Sequence, residues 1–306
     1  MSSSSGGGRR AATTLRLATL ACALLTTVVG TAGPVRASAP GGGTELENNL
    51  RGFDACLTFS ASAMQTWWTY SPYFFASALM GGNNVQCNNS NMSASWVSTV
   101  ASQGWDLIPY WYSYQAPSGC ALGSFSNYMS SNTSTAYTQG ANSAYTAEGT
   151  AKNLGFAAGS IIYDDMEAYS LSSSCESAVN SFVNGWCHQL SGDGWQCGMY
   201  GSSCASDVSA WYTLANRPGQ IWASDPNGSN TAWNLQCMSN SSVWPYDQRT
   251  HQSAYNSTES YGGVQLTIDR DCSVGRAATG SVPADENSFD ASGTNEANSA
   301  SEDPSC

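Results

Sequence analysis

The sequence predicts a single (β/α)8 barrel of the TIM type, stabilised by disulfides and irregular in its last units. Three observations carry this. Eight short apolar runs alternate with longer polar or amphipathic stretches across residues 51–275, eleven cysteines punctuate the chain, and acidic residues stand at or near the ends of several runs. Strands joined by crossovers build right-handed units, and eight of them close a barrel whose site lies at the C-terminal ends of the strands.

The expected strands, in order, are 52–57, 73–80, 106–112, 160–166, 196–200, 220–223, 250–253 and 265–268. Each is a short run of strand length set between longer polar or amphipathic stretches. Helices are expected at 93–103, with Asn91 and Ser93 as caps, at 135–154, with Ser134 as cap, and at 174–190. The last two crossovers are short, so the back of the barrel is expected to be irregular or to lack helices.

Arg9, Arg10 and Arg16 precede a weakly polar run over 17–30, and Val35-Arg36-Ala37 follows it. This reads as an export signal. The expected organisation is therefore a signal peptide at 1–37, a flexible linker at 38–50, the barrel at 51–275 and a disordered acidic tail at 276–306. The Arg pair hints at the twin-arginine route, which the following Ala-Ala-Thr-Thr-Leu fits poorly. The apolar run is too short and too rich in threonine to span a bilayer, and no later segment has the length for it. A secreted monomer, extracellular or cell-wall associated and without integral membrane association, is the expectation.

Loss of Cys22 with the signal would leave ten cysteines, an even number, in an oxidising compartment. Disulfides are therefore expected. Cys187 and Cys197 bracket a short Gly-containing turn and are expected to pair; the other pairings stay open, and Cys306 on the tail is expected to have no intramolecular partner. No Cys-x-x-Cys or Cys/His cluster has the spacing of a zinc site, so neither metal nor cofactor is expected. The six Asn-x-Ser/Thr sequons, at Asn88, Asn91, Asn132, Asn227, Asn240 and Asn256, arise by chance in so Asn- and Ser-rich a chain.

Ten basic residues, with Lys152 the single lysine, face 22 acidic ones, for a formal net charge of −12. Nucleic acid and anionic lipid would be repelled. Eleven Trp and fifteen Tyr supply faces that stack on sugar C–H surfaces, beside Asn, Ser and Tyr groups that bond sugar hydroxyls. A polysaccharide such as a peptidoglycan glycan strand is the partner this palette suits, although any single Trp is more often core.

The segment from Ser160 to Tyr169 is an apolar run ending in Asp165-Met166-Glu167. Residues i and i+2 of a strand share a face about 6–7 Å apart, so the two carboxyls would project into one space. Close, partly desolvated carboxylates resist joint ionisation, which raises one pKa and gives the division of labour that glycoside hydrolysis needs. The bland alternative is a solvated strand end. A barrel would gather further groups at the same mouth: Asp54 late in the first strand, Asp225 past the sixth, His251 and Gln252 on the seventh, Asp269 at the end of the eighth. Trp111 and Gln115 after the third strand and Trp222 on the sixth would add an aromatic and amide lining that binds substrate.

Gly52-Phe53-Asp54, Leu107-Ile108-Pro109 through Gln115-Ala116-Pro117, Ile162 through Tyr169, Gln220-Ile221-Trp222-Ala223, His251-Gln252 and Val264 through Asp269 resemble the DUF1906, or Rv2525c-like, glycoside-hydrolase-like domain. That family is similar to the GH25 muramidases. The resemblance runs from about Arg51 to Asp271 and implies a barrel in which Glu167 is the general acid, Asp165 its partner carboxylate, and Asp54 and Asp269 the acids that flank the pair. Asp164 and Trp111 depart from the family pattern, which usually has an aromatic or apolar residue at the first and often Tyr at the second.

Three function classes are open to such a chain. A muramidase-like glycosidase would act on N-acetylated amino-sugar polymer; a non-catalytic protein would bind cell-wall glycan at the same mouth; a cage of Asp54, Asp165, Glu167 and Asp269 would hold Ca²⁺ or Mg²⁺ for phosphodiester chemistry. The last is poorly served by His188, His251 and few arginines. A chitinase Asp-x-x-Asp-x-Asp-x-Glu pattern would need Asp where Ser160 and Tyr163 stand.

Overall fold

In chain order the elements are β1 (Gly43–Glu45), β2 (Leu50–Asp54), α1 (Ala61–Tyr70), β3 (Phe75–Gly81), α2 (Ala94–Ser102), β4 (Asp106–Trp111), α3 (Thr133–Leu154), β5 (Ile161–Asp165) and α4 (Ser173–Gly192), then β6 (Gln196–Ser202), α5 (Val208–Trp211), β7 (Gln220–Ser224), β8 (Arg249–Tyr261), β9 (Val264–Ser273) and β10 (Arg276–Ala278). The computed structural model describes residues 43–45, 50–238, 243–244, 248–278 and 306. The expected signal peptide, most of the linker and most of the tail lie outside them, as does Asn240.

Strands β2 to β9 form a closed ring. Each bonds to the next, and β9 returns to β2. All eight expected strands are present, but the last runs the other way: β2 to β8 are parallel, whereas β9 is antiparallel to both β8 and β2. The cause is local. Gly262 and Gly263 have φ of 56° and 80°, the left-handed pair that a two-residue hairpin turn requires, so β8 folds straight back as β9 with no crossover. These two strands run 13 and 10 residues, far beyond the expected 250–253 and 265–268. Outside the ring, β1 pairs with β10, and β10 pairs with β4 at Ala278 and Leu107. Both flanking strands lie in segments expected to be linker and tail.

Helices α2, α3 and α4 fall within two residues of expectation; α1 and the short α5 are additional. Asn132, rather than Ser134, caps α3, accepting a 3.0 Å bond from the Thr135 N–H. The buried face of α3 carries Ala136, Gly140, Ala144, Ala147 and Ala151, a stripe of small residues at helical spacing. Against it lies α4, with Phe182, Val183, Trp186 and Leu190 fully buried, each worth about 1.5–3 kcal/mol of apolar burial. The backbones touch: a Cβ on Gly140 would meet the Phe182 carbonyl at 2.1 Å, and one on Gly185 the Tyr137 carbonyl at 2.1 Å.

Apolar packing is in two layers. Phe75, Leu79, Ile108, Tyr110, Ile161, Tyr163 and Trp222 fill the barrel, while a larger cluster including Phe53, Trp67, Trp105, Ile162, Trp186 and Met199 joins strands to helices. Ten of the eleven tryptophans are buried, Trp233 being half-buried. Their abundance therefore reflects core, and tyrosines rather than tryptophans dominate the wall of the mouth.

Five disulfides join the ten described cysteines: Cys56–Cys87, Cys120–Cys175, Cys187–Cys197, Cys204–Cys237 and Cys272–Cys306. The expected Cys187–Cys197 pair is among them. Cys306, expected to be alone, instead returns to the end of β9. Three of the bridges staple the loops that come after β2, β3, β4, β6 and β7, the loops that surround the barrel mouth. Among the described residues no helix is long and apolar enough to cross a membrane.

Candidate active site

Alternation along the strands decides what faces the barrel interior. At the mouth this sends inward Asp54 from β2, Tyr110 from β4, Asp165 from β5, Tyr200 from β6, Trp222 from β7, Gln252 from β8 and Asp269 from β9. Together with Glu167 and Tyr112 they line a cavity of about 210 Å³. Among the described residues no basic side chain lines it.

Asp165 ends β5, and Glu167 comes next but one on the chain leaving it. One side chain holds both: the buried Gln115 donates from Nε2 to the Asp165 carbonyl at 2.6 Å and accepts at Oε1 from the Glu167 N–H at 2.8 Å. It brackets Met166, whose own N–H donates to the Tyr200 carbonyl at 3.1 Å. Gln115 is held in turn by backbone bonds to Asn127 and Met129 at 3.1 and 2.7 Å. The loop after β4 thus fixes the strand end that carries the acids.

On the opposite wall Gln252 donates to Asp54 Oδ2 at 2.7 Å and accepts at Oε1 from the Tyr200 hydroxyl at 2.8 Å. Trp222 forms the floor, its Nε1–H donating to Asp271 at 2.9 Å and its ring meeting Tyr110, Tyr163 and Tyr200 edge-on at 5.8, 5.8 and 5.4 Å.

Burial without cationic compensation sets the electrostatics. Asp54 is raised well above the ordinary carboxylate value by desolvation and then by Asp269; Asp165 by desolvation and then by Glu167. Glu167 is raised by desolvation and Asp269, and Asp269 by desolvation, offset by the Asn256 N–H that donates to it at 2.6 Å. Asp165 Oδ1 is buried with no hydrogen-bond partner among the described residues. Such a cluster holds protons that an isolated carboxylate would release, so it can donate them.

Of the expected site residues, Asp54, Asp165, Glu167, Asp269, Trp222 and Gln252 meet at this cavity. Trp111 does not. It takes an outward position on β4 and packs into the core beneath the helices, with Tyr110 and Tyr112 inward on either side. Gln115 is not part of the cavity wall either; its amide is spent on backbone. Asp225 is buried and accepts at Oδ2 from the Asn227 side chain and from the Gln236 N–H, organising its own loop. His251 faces outward, its two ring nitrogens 2.8 and 2.7 Å from the Thr231 and Asp225 carbonyls.

Asp164 points away from Asp165, fully buried beside Ser113, and burial pushes it up to about 8. Asp271 went unread in the sequence. It lies one inward step below Asp269, paired with Gly52, and is raised well above the ordinary value by desolvation and then by Asp54. The i, i+2 spacing of Asp269 and Asp271 is the same signal that marks Asp165 and Glu167.

Among the described residues no group of three or more His, Cys, Asp or Glu is arranged to hold a metal ion. A larger cavity of about 450 Å³ lies under the β8–β9 hairpin, where Arg270 pairs with Glu259 at 2.6 Å; Asp54, Asp165, Glu167 and Asp269 do not border it. The candidate site is the smaller one, where the acids converge.

No curated protein matches the chain. Solved structures similar to it include an uncharacterized protein of B. stearothermophilus at 13% identity and TM-score 0.49, covering 73% of this chain and 95% of that one. The Mycobacterium tuberculosis Tat-secreted protein Rv2525c, in complex with L-tartrate, aligns at 11% identity and TM-score 0.45, over 73% of this chain and 94% of that one. The modular autolysin LytC from Streptococcus pneumoniae aligns at 13% identity and TM-score 0.48, over 74% of this chain and 47% of that one. The model of the Rv2525c-like, glycoside hydrolase-like domain matches residues 65–273, from within α1 to the end of β9, a span that holds Asp165, Glu167 and Asp269. On that match the chain belongs to the Rv2525c-like, glycoside hydrolase-like domain family.

Proposed function

We propose that this protein is an exported glycosidase acting on cell-wall glycan, an N-acetylated amino-sugar polymer such as peptidoglycan, with Glu167 as general acid and Asp165 as its partner carboxylate. The observation that carries the reading is the acid pair clamped by Gln115 at a tyrosine- and tryptophan-walled cavity without a basic side chain. Five disulfides suit maturation in an oxidising compartment.

Glu167, protonated because burial and Asp269 raise its pKa, gives its proton to the glycosidic oxygen as the bond to the anomeric carbon breaks. The 2-acetamido oxygen of the same sugar attacks that carbon, while Asp165 orients the amide and, made more acidic by the positive charge developing beside it, releases its proton to water and balances that charge. Asp54 and Asp269 stabilise the oxocarbenium charge or hold the incoming water. Water then opens the cyclic intermediate, and Glu167 takes back a proton. Gln115 keeps Asp165 and Glu167 at a fixed separation throughout.

Purified protein incubated with peptidoglycan and with chitin oligomers, with new reducing ends read by mass spectrometry, tests this. Product from the wild type and none from Glu167→Gln is expected. Retention on insoluble wall without product, unchanged by that substitution, would make the protein a glycan binder instead.

A further inference from the structure

The acid cavity accounts for one scissile bond, and the rim around it carries aromatic rings that this chemistry leaves unused. Tyr255, on β8 where the hairpin rises past the mouth, is 46% exposed. Its position is nonetheless fixed, because its hydroxyl bonds Ser224 at the end of β7. Burial raises its pKa, and Glu167 and Asp269, which stand close enough to act on it, raise it further.

Across the mouth, Tyr112 borders the cavity, Phe125 lies 6.5 Å from it edge-on, and Tyr128 lies 6.0 Å beyond. The Phe125 N–H donates to the Tyr128 hydroxyl at 2.8 Å. The half-buried Phe125 ring lies over Gly123, where a Cβ would come within 2.6 Å of it. The loop is tied down by the buried Asn84, which donates to the Ser113 and Asn127 carbonyls at 2.6 and 2.8 Å and accepts from the Ser126 and Asn127 N–H groups at 3.0 and 2.9 Å. The Cys120–Cys175 bridge anchors it again.

The two platforms belong to opposite sides of the ring, Tyr255 on β8 and Phe125 with Tyr128 on the loop that follows β4. In the ring of eight, β4 and β8 are separated by β5, β6 and β7 on one side and by β3, β2 and β9 on the other. Rings held rigid on both sides of an acid cavity suit a polymer that passes over it, since sugar faces stack on aromatic faces and preorganised rings lose little entropy on binding. We infer that Tyr255 on one side, and Phe125 with Tyr128 on the other, form two sugar-stacking subsites that place the interior of a neutral N-acetylated glycan chain, rather than its end, over Asp165 and Glu167. The inference rests on the proposed glycan reading of the cavity.

The test uses the full chain in a Glu167→Gln background and N-acetylglucosamine oligomers from disaccharide to hexasaccharide, with affinity measured by calorimetry. Affinity should rise with length. Tyr255→Ala and Phe125→Ala should each weaken the hexasaccharide by about 3- to 10-fold and leave the disaccharide within about twofold, while Tyr255→Phe, which keeps the ring but loses the bond to Ser224, should weaken it less than Tyr255→Ala does. Phe125→Leu, which keeps apolar volume in the loop but no aromatic face, should weaken the hexasaccharide as Phe125→Ala does. Length-independent affinity, no binding of any oligomer, or alanine variants that bind the hexasaccharide like their parent would each overturn the subsites. The two readings separate in wild-type background. Length-dependent binding with no hydrolysis upholds the subsites and sinks the acid chemistry; hydrolysis with an unaltered KM for polymer in Tyr255→Ala does the reverse.

Discussion

Asp54 on β2 stands in direct register with Asp269 on β9, so an antiparallel strand delivers its carboxylate to the same mouth as the parallel ones. The pairing raises the proton affinity of the site, because Asp269 raises both Asp54 and Glu167.

Removing that charge should therefore move the pH profile. With Asp269→Asn, Glu167 loses its repulsive neighbour and ionises at lower pH. The alkaline limb of kcat/KM for glycan hydrolysis should shift to lower pH by about half a unit or more, whatever happens to its height. A limb that stays in place would mean that another group sets it.

Gln115→Ala should lower kcat with little change in KM. The substitution leaves the Asp165 carbonyl and the Glu167 N–H without their partner, at a cost of about 1–3 kcal/mol each in buried surroundings. Steady-state kinetics beside a thermal melt would separate the two effects, and Gln115→Glu, which keeps the acceptor for the Glu167 N–H, should recover part of the rate. An unaltered kcat would show that the clamp does not position the acids.

Stability should fall as pH rises through neutrality. Asp164 holds its proton in the folded state up to about 8, against an ordinary 3.8, and Glu148 on α3, raised by burial and then by Asp193, up to about 7. Between the ordinary and the raised values the native chain binds more protons than the unfolded one, so raising the pH costs stability across that window. Asp164→Asn should shrink the Tm difference between about pH 5 and about pH 8.5 by about 3 °C or more. An equal difference in both proteins would rule out this carboxyl as a source.

Gly140→Ala should destabilise the fold although alanine is the better helix former. The added methyl would meet the Phe182 carbonyl at 2.1 Å, and separating two packed helices costs about 1–3 kcal/mol. Gly149→Ala on the same helix, where a Cβ meets nothing within 4 Å, should be neutral or stabilising by chemical denaturation.

Breaking Cys120–Cys175 with paired serines should cost about 2–4 kcal/mol, since the bridge closes a loop of 55 residues. The same variant frees the loop that bears Gln115 and Phe125, so a fall in kcat should accompany the loss in Tm.

The strands and the acid pair were legible because hydrophobic runs and period-two spacing act over a few residues. The length and direction of the last two strands were not. Residues Tyr255 to Ser260 of β8 are largely polar and open to solvent, so apolar periodicity falls silent there although the ladder continues to Tyr261. The direction of β9 hung on two glycines. Trp111 was misplaced because 106–111 is buried on both faces, and a strand apolar throughout does not reveal which side looks inward. Gln115 spends its amide on main-chain groups about 50 residues away, a relationship that composition and spacing do not encode. Helix α1 did leave a trace, in Met64, Trp67 and Trp68 at helical spacing. The Cys272–Cys306 bridge joins cysteines 34 residues apart in sequence, a pairing that spacing alone does not encode.

A two-glycine turn in place of a final crossover also bears on how the molecule assembles. Strands β8 and β9 can zip together as soon as both exist, since their partners are near in sequence, whereas β2, which bonds β3 on one side, finds its other partner about 200 residues later. The seam of the cylinder is thus its latest-made and slowest contact. A ribbon formed first would dock there as a unit and bring Asp269 and Tyr255 to the opening in one step.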